Sequence, residues 1–242
     1  MKNFSLLLFL LSLFFLHGCT TKPQESDSDK NRSITYWGEL DNFGIGFLDN
    51  PNYIELKEDL SINDLTDGSY VLLTRHTTRD PAEGPDLWAL DRNGTPGVGA
   101  SLNKQGIKEA ETIHRVLKTL NIPIGEVYSS PTHRTTQLAR IGFGSSDFTE
   151  KIELIYQPMM RIEEKALFDV ELIRLLSAPI KGNGNRVLTA HNNTLERLGI
   201  QGVPTVRLQQ GDTAVFKPLG HYSFKYLGTI EIGEWQALSA ER

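Results

Sequence analysis

Residues 71–80 read VLLTRHTTRD. The apolar run Val71-Leu72-Leu73 has the length and composition of a buried strand, and Asp67-Gly68 just ahead of it makes a turn. The run ends in Arg75-His76 and, three residues on, Arg79-Asp80. A cationic neighbourhood disfavours a charged imidazole, so the cluster is intelligible if an anion occupies the space it encloses. The formal net charge of the 242-residue chain is −5. No general affinity for nucleic acid follows from that, and an anion site must be a local cationic hollow within an acidic envelope.

Working outward, residues 80–100 are rich in Pro and Gly and read as a long functional loop or spacer. Asn103 then offers an N-cap, and Ile107, Ala110, Ile113, Leu117 and Leu120 recur at three- and four-residue steps, predicting an amphipathic helix that Asn121 and Pro123 stop. Gly125–Ser129 reads as a short strand. Ser130 as N-cap and Pro131 at the first helical position predict a second helix to about residue 141. Arg186–Ala190 is a strand feeding His191, after which Asn192 or Asn193 caps a short helix ending at Gly199. Two more strands are expected at 213–216 and 226–232, joined by a turn-rich link. Alternating strands and helices predict an α/β fold with a mostly parallel sheet. His76, Ser130 with Arg134, and His191 each follow a strand's C-terminal end, the edge where open α/β sheets bind ligands.

Taken jointly, these residues suit phosphoryl chemistry. Guanidinium forks pair with anionic oxygens, and Arg134 in a first helical turn adds the positive end of a helix. A neutral imidazole is a nucleophile toward phosphorus, and a second, protonated by the bound anion, can hold charge in the transition state.

The same residues carry a resemblance. VLLTRHTTRD resembles the Arg-His-Gly motif of the histidine phosphatase, or phosphoglycerate mutase-like, superfamily. SLNKQGIKEA (101–110) is similar to that family's Leu-Thr-x-x-Gly-x-x-Gln-Ala segment. VYSSPTHRTTQLA (127–139) resembles Ser-Pro-x-x-Arg-x-x-Gln-Thr-Ala, and VLTAHNNTL (187–195) resembles the element bearing the second histidine. Order and spacing match over roughly residues 67–200, and GDTAVFKPLG and LGTIEIGEW look like the ending of exported bacterial members. The resemblance implies a three-layer α/β/α fold with a mostly parallel central sheet and a phosphatase that needs no cofactor. It implies His76 as nucleophile, Arg75 and Arg134 gripping the phosphoryl group with His191 beside them, and Arg79 as a further phosphate contact. The chain departs from the family at three places. Thr77 stands where Gly or Ala is usual, Thr78 where many members carry Glu, and Asn192 where acid phosphatases have Asp after the histidine. The general acid is therefore unassigned among Asp80, Glu83, Asp86, Glu163 and Asp212.

The N-terminus reads as a targeting signal. Lys2 precedes the apolar block Phe4–Leu16, and Leu16-His17-Gly18-Cys19 resembles a bacterial lipobox. Cys19 is the only cysteine, so an internal disulfide is impossible and lipidation gives it a use. Residues 1–18 are expected to be a lipoprotein signal peptide, 19–33 a polar tether, and 34–242 the catalytic domain. The expected location is the cell envelope, lipid-anchored, at the outer membrane in a Gram-negative cell. The expected partners are a small phosphorylated substrate and the membrane, with no nucleic acid and no metal, since ligand-spaced His and Cys are missing and arginines repel a cation. No nucleotide P-loop pattern occurs in the Gly-rich loop. Taken singly, His114 and His133 read as structural or solvated helix residues, and His221 has no motif support. The rival expectation is a non-catalytic envelope protein of the same fold that binds a phosphorylated ligand.

Overall fold

Val71–Arg75 forms the first strand of a six-stranded sheet. The computed structural model describes residues 60–80, 100–151, 154, 162–196 and 208–240. These all belong to the unit Ser33–Arg242. A 3-10 turn, Ile62–Asp67, precedes β1 (Val71–Arg75). There follow α1 (Lys104–Thr119), β2 (Ile124–Ser129), α2 (His133–Gly142), β3 (Thr149–Glu150), α3 (Ile162–Ser177), β4 (Asn185–Ala190), α4 (Asn193–Glu196), β5 (Thr213–Gly220), β6 (Ser223–Ile230) and α5 (Ile232–Ala240). The strand order is β3-β2-β4-β1-β5-β6. The pairings β3·β2, β2·β4 and β4·β1 are parallel, while β1·β5 and β5·β6 are antiparallel. The sheet is thus mostly parallel, as its alternating elements predict.

Alternation along β1 divides the core in two. Leu72 packs with Val187 and Val215 against Ala110, Ile113 and Val116 of α1, Leu138 of α2 and Trp235 of α5. Val71 and Leu73, with Leu188, Ala214 and Phe216, pack against Leu172, Ile173 and Leu176 of α3. Helices therefore cover both faces, the three-layer arrangement. Burying each of Leu72 and Leu73 contributes about 2 kcal/mol. A one-residue slip of β1 would exchange the two sets, so register is strongly specified.

Helix α1 starts as its sequence predicts, with the Asn103 side chain accepting from the Gly106 N–H at 2.9 Å. It ends at Thr119, and Asn121 takes φ +54°, where an Asn is tolerated better than most residues. Two expectations are corrected. Helix α2 is capped by Thr132 rather than Ser130, and its first residue is His133 rather than Pro131. The Ser130 hydroxyl lies against His191 instead, 2.9 Å from the ring nitrogen Nε2. The link between the last two strands is a tight hairpin. His221 and Tyr222 both have positive φ (49° and 59°), the primed-turn geometry that matches strand twist. No Gly or Asn marks these turn positions, so the sequence concealed it. Helices α3 and α5 and the short β3 were likewise not anticipated.

The bottom of the sheet is tied by side chains. Asn185 accepts from the Tyr70 N–H at 3.1 Å and donates to the Leu65 and Pro123 carbonyls at 2.8 and 3.0 Å. Arg186 pairs with Glu126 and donates to the carbonyls of Leu175, Ala178 and Pro179 at the end of α3. These bonds satisfy last-turn carbonyls that a helix leaves unpaired.

The candidate active site

Register brings the functional segments together. Arg75 lies opposite Ala190, and Ser129 opposite Thr189. One residue beyond, the His76 N–H donates to the Ala190 carbonyl at 3.0 Å and the Ser130 N–H to the Thr189 carbonyl at 2.9 Å. The residues that follow β1, β2 and β4 therefore emerge side by side at the sheet's C-terminal edge. The rings of His76 and His191 meet edge-on, with centroids 5.6 Å apart and planes 64° apart. Both are buried, as is Arg134.

His76 has a defined tautomer. Its Nδ1 lies 2.8 Å from the Thr77 carbonyl, which can only accept, so Nδ1 carries the proton and Nε2 the lone pair. Burial, then the charge on Arg134, hold this imidazole well below the usual histidine range. Arg75 and Arg79 push in the same direction, and the bond to the Thr77 carbonyl opposes them. All three arginines thus act on one ring, which is neutral at physiological pH. The Arg75 guanidinium is steadied by the Leu208 carbonyl at 2.7 Å. Arg79 pairs in a short antiparallel bridge with Leu102.

His191 is placed by α2 and the end of β2. Arg134 Nη2 lies 3.1 Å from its Nδ1. A guanidinium only donates, so Nδ1 accepts here and Nε2–H faces Ser130 Oγ at 2.9 Å. Beneath it, Thr135 Oγ1 donates to the Ser130 carbonyl at 2.6 Å, and Thr189 Oγ1 donates to Ser129 Oγ at 2.9 Å and to the Thr135 carbonyl at 3.0 Å. This buried hydroxyl network ties β4, β2 and α2 under the histidine.

The loop after His76 docks on α1. Thr77 Oγ1 donates to the Gly106 carbonyl at 2.8 Å, so its extra hydroxyl is turned to the helix. The Thr78 N–H and hydroxyl both donate to the Glu109 carboxylate. A Cβ at Gly106 would sit 2.0 Å from the Thr78 carbonyl oxygen, so only glycine permits this approach. Sequence reasoning missed Glu109. The signal that could have found it is its place in SLNKQGIKEA, three residues after Gly106 and directly before Ala110.

The acid candidates separate. Asp212 lies just before β5. Its Oδ2 accepts from the Gln209 N–H at 2.7 Å and its Oδ1 from the Ile232 N–H at 3.1 Å, so it braces the start of α5. Asp80 follows the loop after His76, its N–H donating to the Ser101 carbonyl. Glu163 lies in α3, but its side chain is outside the described residues, as are Glu83, Asp86 and Cys19. His133 and His221 are exposed, and His114 packs near Gly144 on the far side of α1. Among the described residues no group of three or more His, Cys, Asp or Glu could hold a metal ion.

No protein-family model matches the chain, and no curated protein does. Solved structures do. The protein histidine phosphatase SixA complexed with tungstate aligns over 68% of this chain and 97% of its own, at 16% identity and a TM-score of 0.50. A phosphoserine phosphatase of Entamoeba histolytica, complexed with phosphoserine, aligns over 68% and 98% at 16% identity and a TM-score of 0.46. A mycobacterial glucosyl-3-phosphoglycerate phosphatase with inorganic phosphate aligns over 70% and 99% at 12% identity and a TM-score of 0.45. Of these three only the first reaches 0.50, and at such low identity the likeness bears on the fold. The strand order, the helices on both faces and this superposition agree: the chain has the fold of the histidine phosphatase, or phosphoglycerate mutase-like, superfamily.

Proposed function

We propose that the protein is a phosphomonoesterase that works through a phosphohistidine on His76 and is tethered in the cell envelope by a lipid on Cys19. The observation that carries the enzymatic reading is the state of His76: a buried, neutral imidazole whose Nδ1 proton is held by a carbonyl, under the charges of three arginines. In the reaction the Nε2 lone pair forms a bond to phosphorus while the ester P–O bond breaks. The electron pair leaves with the alcohol oxygen, which takes a proton from a nearby acid or from water. Arg75, Arg79 and Arg134 neutralise the phosphoryl oxygens, and the Thr77 carbonyl stabilises the positive charge that develops on the ring. Water then attacks phosphorus, the N–P bond breaks, and phosphate and the free imidazole are restored.

The solved structure that aligns at a TM-score of 0.50 is that of a protein histidine phosphatase holding the oxyanion tungstate, which supports the same class of reaction. Release of p-nitrophenol from p-nitrophenyl phosphate should disappear in His76→Ala. A brief mix of wild type with labelled substrate should trap an acid-labile, base-stable phosphoenzyme. Tight vanadate binding with neither turnover nor phosphoenzyme would instead support a non-catalytic phospho-ligand binder. That rival has less in its favour once the Thr77 hydroxyl is turned toward α1. For the anchor, incorporation of labelled palmitate should be lost in Cys19→Ser.

A further inference from the structure

We infer that Glu109 is a positioning residue for the nucleophile, acting on His76 through the peptide group between Thr77 and Thr78. The inference rests on the reading of His76 as nucleophile. That peptide is held at both edges. Its N–H, on Thr78, donates to Glu109 Oε2 at 2.9 Å. Its C=O, from Thr77, accepts from His76 Nδ1 at 2.8 Å. The amide is planar and its N–H and C=O are coupled by resonance. A carboxylate drawing on the N–H raises the negative charge on the carbonyl oxygen, and hydrogen bonds in such a chain strengthen one another. The carbonyl then holds Nδ1–H more firmly, which keeps the lone pair on Nε2 and raises its basicity. This is the carboxylate–histidine device of many active sites with one peptide interposed.

The carboxylate is itself fixed for this task. Glu109 is 7% exposed and sits on the buried stripe of α1 rather than on its solvent face. Gln105 Nε2 donates to Oε1 at 3.1 Å, and the Thr78 hydroxyl lies within 3.0 Å of both oxygens. These donors are all neutral. A glutamine could accept from the Thr78 N–H without the desolvation of a charge, whereas a carboxylate is the stronger acceptor. Thr77 Oγ1 on the Gly106 carbonyl pins the peptide at a second point, so it cannot swing to follow the ring.

The test uses the purified full chain and the variants Glu109→Ala and Glu109→Gln. It measures ring-nitrogen NMR of His76 with nitrogen-15-labelled histidine, kcat and KM for p-nitrophenyl phosphate, and inhibition by vanadate. Glu109→Ala should lower kcat by about 10- to 100-fold, the range known for losing the hydrogen-bond partner behind a metal-bound histidine, taken here by analogy. KM and vanadate inhibition should stay at wild-type values, because the arginines that hold the oxyanion are not bonded to Glu109. The His76 ring should become a mixture of tautomers. Glu109→Gln should keep the Nδ1–H tautomer and lose less activity. Wild-type kcat with a single tautomer in folded Glu109→Ala would overturn the inference, as would a change confined to KM. Should Glu109→Ala not fold, Glu109→Gln decides: unchanged kcat together with an unchanged pH profile overturns the claim. If wild type neither turns over nor binds vanadate, the functional reading fails, while the tautomer comparison still decides whether Glu109 orients the ring.

Discussion

His76 should make the protein acid-sensitive in a way that one substitution removes. In the fold its imidazole is held well below the ordinary range, chiefly by burial and then by Arg134. In the unfolded chain it titrates near pH 6.5. Between those two values the unfolded state carries a proton that the folded state refuses, so stability rises with pH across the window. The contribution is fully present above about pH 6.5 and is lost progressively as the pH falls toward the folded value. Within the window one proton corresponds to a slope of about 1.4 kcal/mol per pH unit. His76→Asn is the suitable perturbation: the Asn amide can still donate to the Thr77 carbonyl but does not titrate. Urea unfolding curves at closely spaced pH values from 7.5 to about 5 should give free energies for the two proteins that diverge below about pH 6.5 at that slope, with wild type falling faster. Saturating phosphate should shrink the divergence, because a bound dianion offsets the repulsion from Arg134, Arg75 and Arg79, leaving burial as the main cause. Parallel stability curves for the two proteins would refute the placement of a neutral, cation-surrounded His76.

Other substitutions should act through contacts already described. Ser130→Ala leaves the buried Nε2–H of His191 without its acceptor, and should lower unfolding free energy by about 1–3 kcal/mol in urea melts while reducing kcat. Gly106→Ala forces a methyl against the Thr78 carbonyl, a backbone atom that cannot rotate aside; thermal unfolding should show a loss of about 1–3 kcal/mol, with activity falling as the loop after His76 shifts. Arg186→Met strands Glu126 and the carbonyls at the end of α3, and should destabilise by roughly 3–5 kcal/mol without altering KM in whatever fraction remains folded.

The local pattern of the chain was enough to determine the strand before His76, the amphipathic helix after Asn103 and the order of the segments that carry Arg134 and His191. These rest on near-neighbour rules: apolar period, cap chemistry and the tendency of α/β folds to bring strand ends together. Even so, Ser130 read as a helix cap, because a serine before a proline satisfies that rule, and only the neighbouring strand showed that its hydroxyl meets His191. The bracing by Asp212 is equally hidden, since Ile232, whose amide meets its Oδ1, lies 20 residues on. In the sequence Glu109 is one charge among several on α1. Its meaning came from Gly106, which lets α1 approach the Thr77–Thr78 peptide closely enough for a carboxylate to bond it. Periodicity and capping are encoded within a few residues, whereas the partner of His191 and the work of Glu109 depend on contacts between residues 61 and 31 apart in the chain, which exist only once the sheet has set its register.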